Sequence, residues 1–106
     1  MKDDLIQVQT TVLTEKEART IAHVMNEEKL SACVQFYPIV SIYTWKGKLE
    51  EAKEFLIIIK STQNKFEKIK KKLEEIHSYE LPQIISIKND NYTQEYLDWI
   101  VKETRD

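Results

Sequence analysis

The only glycine of the chain, Gly47, lies between two runs of residues that favour β-strands. The first run, 32–45, is rich in β-branched and aromatic side chains and is interrupted once, by Pro38. Glycine readily adopts the positive φ that a tight reversal needs, so the segment 46–48 predicts a protruding hairpin. We expect its first arm to be a long strand with a bulge or a bend at Pro38.

The return arm of this hairpin contains five consecutive apolar residues, 55–59. A strand with one face in water alternates apolar and polar residues, whereas this segment offers no polar face. We therefore expect both of its faces to be covered, either because it is a central strand or because it is sandwiched at a contact between subunits. Burial of each of these side chains contributes roughly 1.5–3 kcal/mol.

The residues before the hairpin predict a strand and then a helix. Residues 6, 8 and 10 alternate with polar neighbours at the period of two that a strand requires. Thr14 and Glu17 have the spacing of a capping box. Apolar residues then recur at helical spacing, so the sequence predicts a helix from about Glu15 to Glu28.

The residues after the hairpin predict a helix, a short strand and a terminal helix. Ser61 or Thr62 is expected to cap the second helix, and Pro82 separates that helix from a short strand at 84–87. Thr93 is expected to cap the terminal helix. The apolar residues that recur along these two helices are Phe66, Ile69, Leu73 and Ile76, and then Tyr96, Leu97, Trp99 and Ile100.

The predicted order is β-α-β-β-α-β followed by a helix, which is the ferredoxin-like, split βαβ arrangement of the α+β class. Two helices then cover one face of a four-stranded antiparallel sheet, in a single domain over residues 1–106. The other face has no cover within one chain. Aromatic residues such as Phe36, Tyr43 and Trp45 would form an exposed patch, so we expect oligomerisation through the sheet.

The net charge and the cysteine content limit which partners and which cellular compartment are expected. A formal net charge of -2 gives no basic field, so nucleic acid and membrane surfaces are not expected partners. Cys33 is the only cysteine, which excludes an intramolecular disulfide and is typical of a reducing compartment. We expect Cys33 to be a small buried hydrophobe. No continuous apolar segment suggests a signal peptide or a membrane span, so a cytoplasmic location is expected.

Several motifs, spread from the first strand to the terminal helix, match one known family. They are Thr10-Thr11, 30–34 (LSACV), 41–48 (SIYTWKGK) with Glu54, Lys60-Ser61, 77–82 (HSYELP) and 96–99 (YLDW). In these motifs the chain resembles the CutA family of divalent-cation-tolerance proteins. The resemblance implies a tight homotrimer with an architecture similar to the nitrogen-regulatory PII proteins. It also implies a link to copper tolerance in bacteria, or to acetylcholinesterase anchoring in animals.

The resemblance also bears on a copper site. Copper-binding members carry a cysteine where this chain has Thr10, and a histidine pair where it has Ile76-His77. His77 is therefore the candidate copper ligand, since neutral imidazole suits copper. A helix-end histidine that contacts terminal carbonyls is an equally good interpretation. A threefold axis could gather three copies of His77, or pair His77 with a carboxylate such as Glu80 from a neighbour. His23 has no partner ligand at a suitable spacing.

The remaining chemistry favours binding over catalysis. No nucleophile elbow, phosphate-binding loop or metalloprotease motif occurs, so an enzyme is not expected. Trp45, Glu54, Lys60 and Tyr79 come from segments that the predicted fold brings together, and they suit a small polar ligand in a cleft between subunits. A structural ion pair beside interface aromatics is the alternative.

The sequence thus predicts a trimeric protein of divalent-metal tolerance, with copper as the metal of first interest. The alternative is a PII-like signalling or scaffold trimer that binds a small metabolite or a partner protein without metal. Stabilisation by a ligand would discriminate between the two, because a ligand that binds only the folded state raises the free energy of unfolding.

Overall fold

A computed structural model describes residues 4–106. The strands are β1 (Leu5–Val12), β2 (Cys33–Trp45), β3 (Lys48–Thr62) and β4 (Ile85–Lys88), and the helices are α1 (Glu15–Glu27), α2 (Phe66–Ile76) and α3 (Gln94–Glu103). A short 3-10 turn joins β3 to α2. The strands form one antiparallel sheet in the order β2-β3-β1-β4. The predicted order of elements and the ferredoxin-like α+β fold are confirmed.

Threonine caps begin two of the helices as the sequence predicts. The hydroxyl of Thr14 accepts a hydrogen bond from the backbone N–H of Glu17 at 3.1 Å, and the hydroxyl of Thr93 accepts one from Tyr96 at 3.3 Å. Each of these caps satisfies an N–H group that has no partner within its helix. The Glu17 carboxylate, however, accepts hydrogen bonds from Ser78, which is distant in the chain. This long-range contact replaces the second hydrogen bond of the capping box, which would join that carboxylate to the backbone N–H of Thr14.

The start of α2 differs from the prediction that Ser61 or Thr62 caps it. Both residues belong to β3, which continues to Thr62, and α2 begins only at Phe66 after the 3-10 turn. The Ser61 hydroxyl donates to the carbonyl of Leu30 at 2.6 Å, and the Thr62 hydroxyl bonds to the side chain of Asn64. These hydroxyls tie the end of the strand to its neighbours and do not cap the helix.

The hairpin at Gly47 is confirmed, and its turn is a tight one. Trp45 pairs with Lys48, so Lys46 and Gly47 alone form the loop. Both have positive φ, 49° and 81° respectively. Two positive φ angles in a two-residue loop describe a type I′ turn, whose twist matches that of the flanking strands. Glycine adopts a positive φ without steric strain. Lys46 has a Cβ atom, so its positive φ is the less favourable of the two.

The expected bulge at Pro38 is absent. The register between β2 and β3 runs without interruption from Cys33 opposite Lys60 to Trp45 opposite Lys48, and Pro38 lies opposite Phe55. β2 is an edge strand, and every second N–H of an edge strand points away from the sheet. Trp45 and Lys48 form the hydrogen-bonded pair that closes the hairpin, so Trp45 and every second residue before it direct their N–H groups toward β3. Pro38 lies between two of those residues and therefore occupies an outward position. Its missing N–H therefore removes no bond of the ladder.

The helices α1 and α2 cover one face of the sheet. The buried residues of this cluster are Ile6, Val8, Val12, Ala18, Ile21, Met25, Leu30, Ile57, Ile59, Ile69 and Leu73. Phe36 packs against this cluster, with its ring 6.2 Å from that of Phe55, so the expectation that Phe36 joins an exposed patch is wrong. Side chains alternate across a strand, and Tyr37 is the residue that shares a face with Tyr43 and Trp45.

The other face of the sheet is covered only at one end. There α3 buries Leu97 and Ile100 against Leu5. The most exposed large apolar side chains of this face are between 37% and 49% exposed: Tyr37, Tyr43, Trp45, Ile85 and Ile87. The return arm is central in the sheet, as expected, with Ile57 and Ile59 fully buried under the helices. Its residues on the other face, Leu56 and Ile58, are only half-buried.

Cys33 is free and half-buried, so the expectation that it is a buried hydrophobe is wrong. It lies opposite Lys60 in the register and therefore on the poorly covered face. Within residues 4–106, no helix has both the length and the apolar character needed to cross a membrane.

Candidate functional site

A cavity of about 530 Å³ lies where the hairpin meets the segment 78–83 that follows α2. Its walls come from alternate residues of β2, from Glu54 of β3 and from the loop. They are Thr11, Ser41, Tyr43, Trp45, Glu54, Ser78, Tyr79, Glu80, Leu81 and Gln83. All of the strand residues in this set point to the face of the sheet that the helices α1 and α2 do not cover.

Glu54 and Tyr79 form the polar centre of this cavity. Glu54 is only 6% exposed, and its carboxylate oxygen Oε2 accepts a hydrogen bond of 2.5 Å from the Tyr79 hydroxyl. In the part of the chain that the structure describes, no lysine or arginine lies within ion-pair distance of Glu54. A buried carboxylate without a cation is costly, and the bond from Tyr79 offsets part of that cost.

Burial and the hydrogen bond to Glu54 raise the pKa of Tyr79 well above the ordinary value of 10.0. Removal of the phenol proton would place a second negative charge beside the Glu54 carboxylate. The hydroxyl of Tyr79 therefore stays protonated at neutral pH and remains a hydrogen-bond donor. This contact joins the loop to β3 and fixes the depth of the cavity.

Trp45 and Glu80 line the cavity at the tip of the hairpin, and Lys46 lies beside them. The Lys46 ammonium lies 5.6 Å from the centre of the Trp45 ring and 3.8 Å from the Glu80 carboxylate. Both charged side chains are largely exposed, so their ion pair is weak. At the tip of the hairpin, the Lys46 ammonium thus lies near both an aromatic ring and a carboxylate.

Three of the four residues predicted for a ligand site therefore come together, and Lys60 does not. Trp45, Glu54 and Tyr79 line the cavity. Lys60 lies six positions beyond Glu54 along β3, about 20 Å away at the rise of a strand. Its ammonium is 5.8 Å from the centre of the Tyr96 ring, beside α3. Lys60 therefore does not join the other three residues within one chain, although it shares the face of Glu54. The predicted site is a cleft between subunits, and the part of Lys60 in it stays a prediction.

Hydrogen bonds engage both ring nitrogens of His77. Its Nδ1 accepts from the backbone N–H of Tyr79 at 3.0 Å, which places the ring proton on Nε2. Nε2 then donates to the carbonyl oxygen of Thr11 at 2.9 Å and lies 3.1 Å from the hydroxyl of Thr10. His77 thus connects the end of α2 to β1 and orients Tyr79. These contacts are with a strand and not with the carbonyls of its own helix.

The candidate metal ligands are dispersed. Among residues 4–106, no group of three or more His, Cys, Asp or Glu side chains is arranged to hold a metal ion. His23 lies on the exposed side of α1, and Cys33 is at the opposite end of β2 from the cavity. Copper contact at His77 therefore stays a prediction.

Sequence reasoning missed two features of the cavity. Tyr43 lines it beside Trp45, and the period of two along β2 could have placed Ser41, Tyr43 and Trp45 on one face. Ser78 was also missed; its backbone N–H and its hydroxyl both donate to the Glu17 carboxylate, at 3.0 and 2.9 Å. No sequence pattern signals that contact, because the two residues are far apart in the chain.

The raised pKa of Tyr79 predicts a late ionisation of this residue. We expect the ultraviolet absorbance of ionised tyrosine to be the same in the unmodified protein and in Tyr79→Phe up to about pH 11, because the phenol of Tyr79 is still protonated there. The folded pKa is the higher one, so the stability that this contact contributes is fully present below pH 10 and is lost as the pH rises through the folded pKa. A difference of about half an ionised tyrosine at pH 10, or of nearly a whole one at pH 11, would contradict the buried contact; Tyr92→Phe, which removes an exposed tyrosine outside the sheet, is the control.

Comparison with known proteins identifies the family. The family model described as CutA1 divalent ion tolerance protein matches residues 6–103. A divalent-cation tolerance protein CutA from Thermus thermophilus is 40% identical over 95 residues, which are 89% of this chain and 92% of the relative. One from Archaeoglobus fulgidus is 41% identical over 85 residues, which are 80% of this chain and 83% of the relative.

Solved structures agree with this match. The periplasmic divalent cation tolerance protein CutA from Archaeoglobus fulgidus superposes with a TM-score of 0.93 at 36% identity, covering 95% of this chain and 99% of that one. CutA1 from Pyrococcus horikoshii superposes with a TM-score of 0.91 at 33% identity and the same coverage. The fold, the sequence motifs and these matches agree, and the chain belongs to the CutA family of divalent-cation tolerance proteins.

Proposed function

We propose that this CutA-family chain acts in divalent-cation tolerance as a cytoplasmic, non-enzymatic homotrimer whose subunits meet through the poorly covered face of the sheet. The observation that carries the proposal is the character of β2. This thirteen-residue edge strand contains no charged side chain. Edge strands of monomeric proteins normally carry charges or are covered, because a bare edge pairs with other chains.

The uncovered apolar residues supply the driving force for such an assembly. Tyr37, Tyr43, Trp45, Ile85 and Ile87 all lie on one face and remain well exposed in the single chain. Each is already more than half buried, so completing its burial contributes about half of the roughly 1.5–3 kcal/mol that full burial would give. They lie on the two edge strands, β2 and β4, with the half-buried Leu56 and Ile58 of β3 between them. Exposed apolar residues gathered on one face are typical of a surface that contacts another protein molecule. The stoichiometry of three rests on the resemblance to the CutA family.

Three further parts of the proposal have their own support. The lone thiol of Cys33 suits a reducing compartment such as the cytoplasm. A role without catalysis is supported by the bonding of Glu54, whose buried carboxylate accepts a hydrogen bond from the Tyr79 hydroxyl. Nucleic acid and membrane surfaces are not proposed as partners, since the net charge is -2.

A charge placed on the proposed interface should dissociate the trimer. In Tyr37→Lys, the new ammonium would have to be buried without a partner, so we expect monomers at about 1 μM protein where the unmodified chain is a trimer. Light scattering coupled to size-exclusion chromatography measures this. Thr20→Lys is the control, since Thr20 is exposed on α1, which covers the other face of the sheet. If Tyr37→Lys remains a trimer under these conditions, the face does not form the subunit contact.

We also propose that copper binds this chain weakly, with His77 as the contact. The Nε2 of His77 can bind a metal only after giving up its proton and its bond to the Thr11 carbonyl. A buried carbonyl left without a partner costs about 1–3 kcal/mol. That cost is subtracted from the metal affinity, so a tight site at His77 is not expected.

Copper titration followed by native mass spectrometry tests this assignment. We expect the unmodified chain to bind Cu(II) with a dissociation constant above about 10 μM, and His77→Ala to bind it still more weakly. His23→Ala is the control and should leave the affinity unchanged, since His23 lies on the exposed side of α1. A submicromolar affinity, or an affinity that His77→Ala does not change, would remove His77 from this role.

A further inference from the structure

A second cavity, of about 320 Å³, lies at the end of the sheet opposite the hairpin, between α3 and the 3-10 turn that follows β3. Its polar lining residues are Thr62, Asn64, Lys65, Thr104, Arg105 and Asp106. Thr62 pairs with Leu5, and α3 buries Leu5 at this place. The chain therefore covers this end of the sheet itself, and none of the lining residues is among those that we propose for the subunit contact.

The ammonium group of Lys65 is buried in this cavity. Lys65 is only 6% exposed, whereas lysine is almost never fully buried unless it is paired. Its Nζ lies 3.3 Å from a carboxylate oxygen of Asp106, which is its one ion pair within residues 4–106. The Asp106 side chain is 82% exposed, so another anion can replace this partner at small cost. A neighbouring subunit could only bury Lys65 further.

Three more cationic side chains, those of Lys29, Lys68 and Arg105, lie near Asp106. None of the three forms an ion pair within the part of the chain that the structure describes. The hydrogen bond and charge of Lys65, followed by the charges of Lys68 and Lys29, hold the pKa of the Asp106 carboxyl below its ordinary value of 3.8. The cavity is thus a local centre of positive charge in a chain whose net charge is -2.

The lining also offers hydrogen-bond donors. The Thr62 hydroxyl bonds to the side-chain oxygen of Asn64, so the amide of Asn64 keeps both of its N–H donors. The ammonium group of Lys65 has three donors and uses one of them on Asp106. Charge-assisted bonds to an oxyanion are stronger than neutral ones, and a phosphate group brings three oxygens and up to two negative charges. Such a group satisfies more of these donors and cations than one carboxylate can.

From these observations we infer that this cavity, which we call the Lys65 cavity, binds a phosphate group on the ammonium of Lys65, at the position that the Asp106 carboxylate occupies in its absence. The inference goes beyond the proposed role in divalent-cation tolerance and does not depend on copper. Inorganic phosphate and a phosphate monoester offer the same chemistry, and the experiment separates these two sources.

Isothermal titration calorimetry of the full chain in its assembled state tests the inference, so any group that a neighbouring subunit places near the site is present. Inorganic phosphate, glycerol 3-phosphate and acetate are titrated at about pH 8 and about 0.1 M NaCl, where the Debye length is about 10 Å. We expect at least one of the two phosphates to bind with a dissociation constant of about 0.1–1 mM, and acetate to bind at least tenfold more weakly.

Tighter binding of one phosphate identifies the free ion or the ester as the ligand, and equal affinity shows that the site recognises the phosphate group alone. No binding of either phosphate at about 10 mM, or acetate that binds as tightly as both of them, would overturn the inference.

Matched lysine variants separate the Lys65 cavity from general charge effects. Lys65→Met removes the buried ammonium and keeps an unbranched apolar side chain, and it should weaken phosphate binding about tenfold or more. Lys71→Met removes the same charge from an exposed position of α2 outside the cavity, and it should change binding by less than about twofold. If both variants weaken binding equally, phosphate binds to the lysine-rich surface in general and the inference is wrong.

Asp106→Asn provides a test that leaves the buried lysine in place. The carboxylate of Asp106 competes with phosphate for Lys65, so its removal should tighten phosphate binding about three- to tenfold. Asp98→Asn, which removes the same charge from an exposed position of α3 outside the cavity, should change binding by less than about twofold. Unchanged or weaker binding in Asp106→Asn would contradict the placement of the phosphate group. Since Asp106 is exposed, this test holds even where Lys65→Met lowers the stability of the fold.

Discussion

The pairing of β2 with β3 is longer than the helices that cover the sheet, and the rest of the structure depends on this mismatch. All thirteen residues of β2 pair with β3, a ladder of about 40 Å. The helices α1 and α2 have 13 and 11 residues and span only about 20 and 17 Å. The outer half of the hairpin therefore projects beyond the helical layer, and the chain is 44 Å long against 26 and 21 Å in its other dimensions. Val40, Ile42 and Leu49 on the projecting arm are more than 60% exposed.

The projecting arm also creates the cavity. On the face away from the helices, the segment 78–83 lies against the residues Ser41, Tyr43 and Trp45 of this arm. Three sets of hydrogen bonds hold that segment: His77 to β1, Ser78 to Glu17 of α1, and Tyr79 to Glu54 of β3. Each of these contacts joins the loop to a different element. A segment without regular structure is thereby held in one position, and the buried carboxylate of Glu54 stays in contact with the cavity.

Local patterns in the sequence predicted most of the fold. The caps at Thr14 and Thr93, the reversal at Gly47 and the helical spacing of Ile69 and Leu73 all depend on nearby residues, and all were found in the structure. The wrong predictions concern positions where the sequence is compatible with two local structures and the tertiary contacts select between them. Pro38 needs no bulge because its N–H position faces away from the sheet, and the hydroxyls of Ser61 and Thr62 serve a strand that continues further than its apolar run.

The candidate site was less predictable than the fold. Trp45, Glu54 and Tyr79 were placed together correctly, but Lys60 does not join them within one chain, because residues on the same face of a strand can still be far apart along it. The contacts of the loop 78–83 could not be read from the sequence, since that segment has no periodicity and its partners are distant in the chain. Both the cavity and the exposed aromatic face follow from the long hairpin, so the most direct test concerns what covers that face. Native mass spectrometry of the unmodified chain should show a species of three chains of 12.6 kDa each, persisting down to about 1 μM. A species of one chain at every concentration would contradict the account.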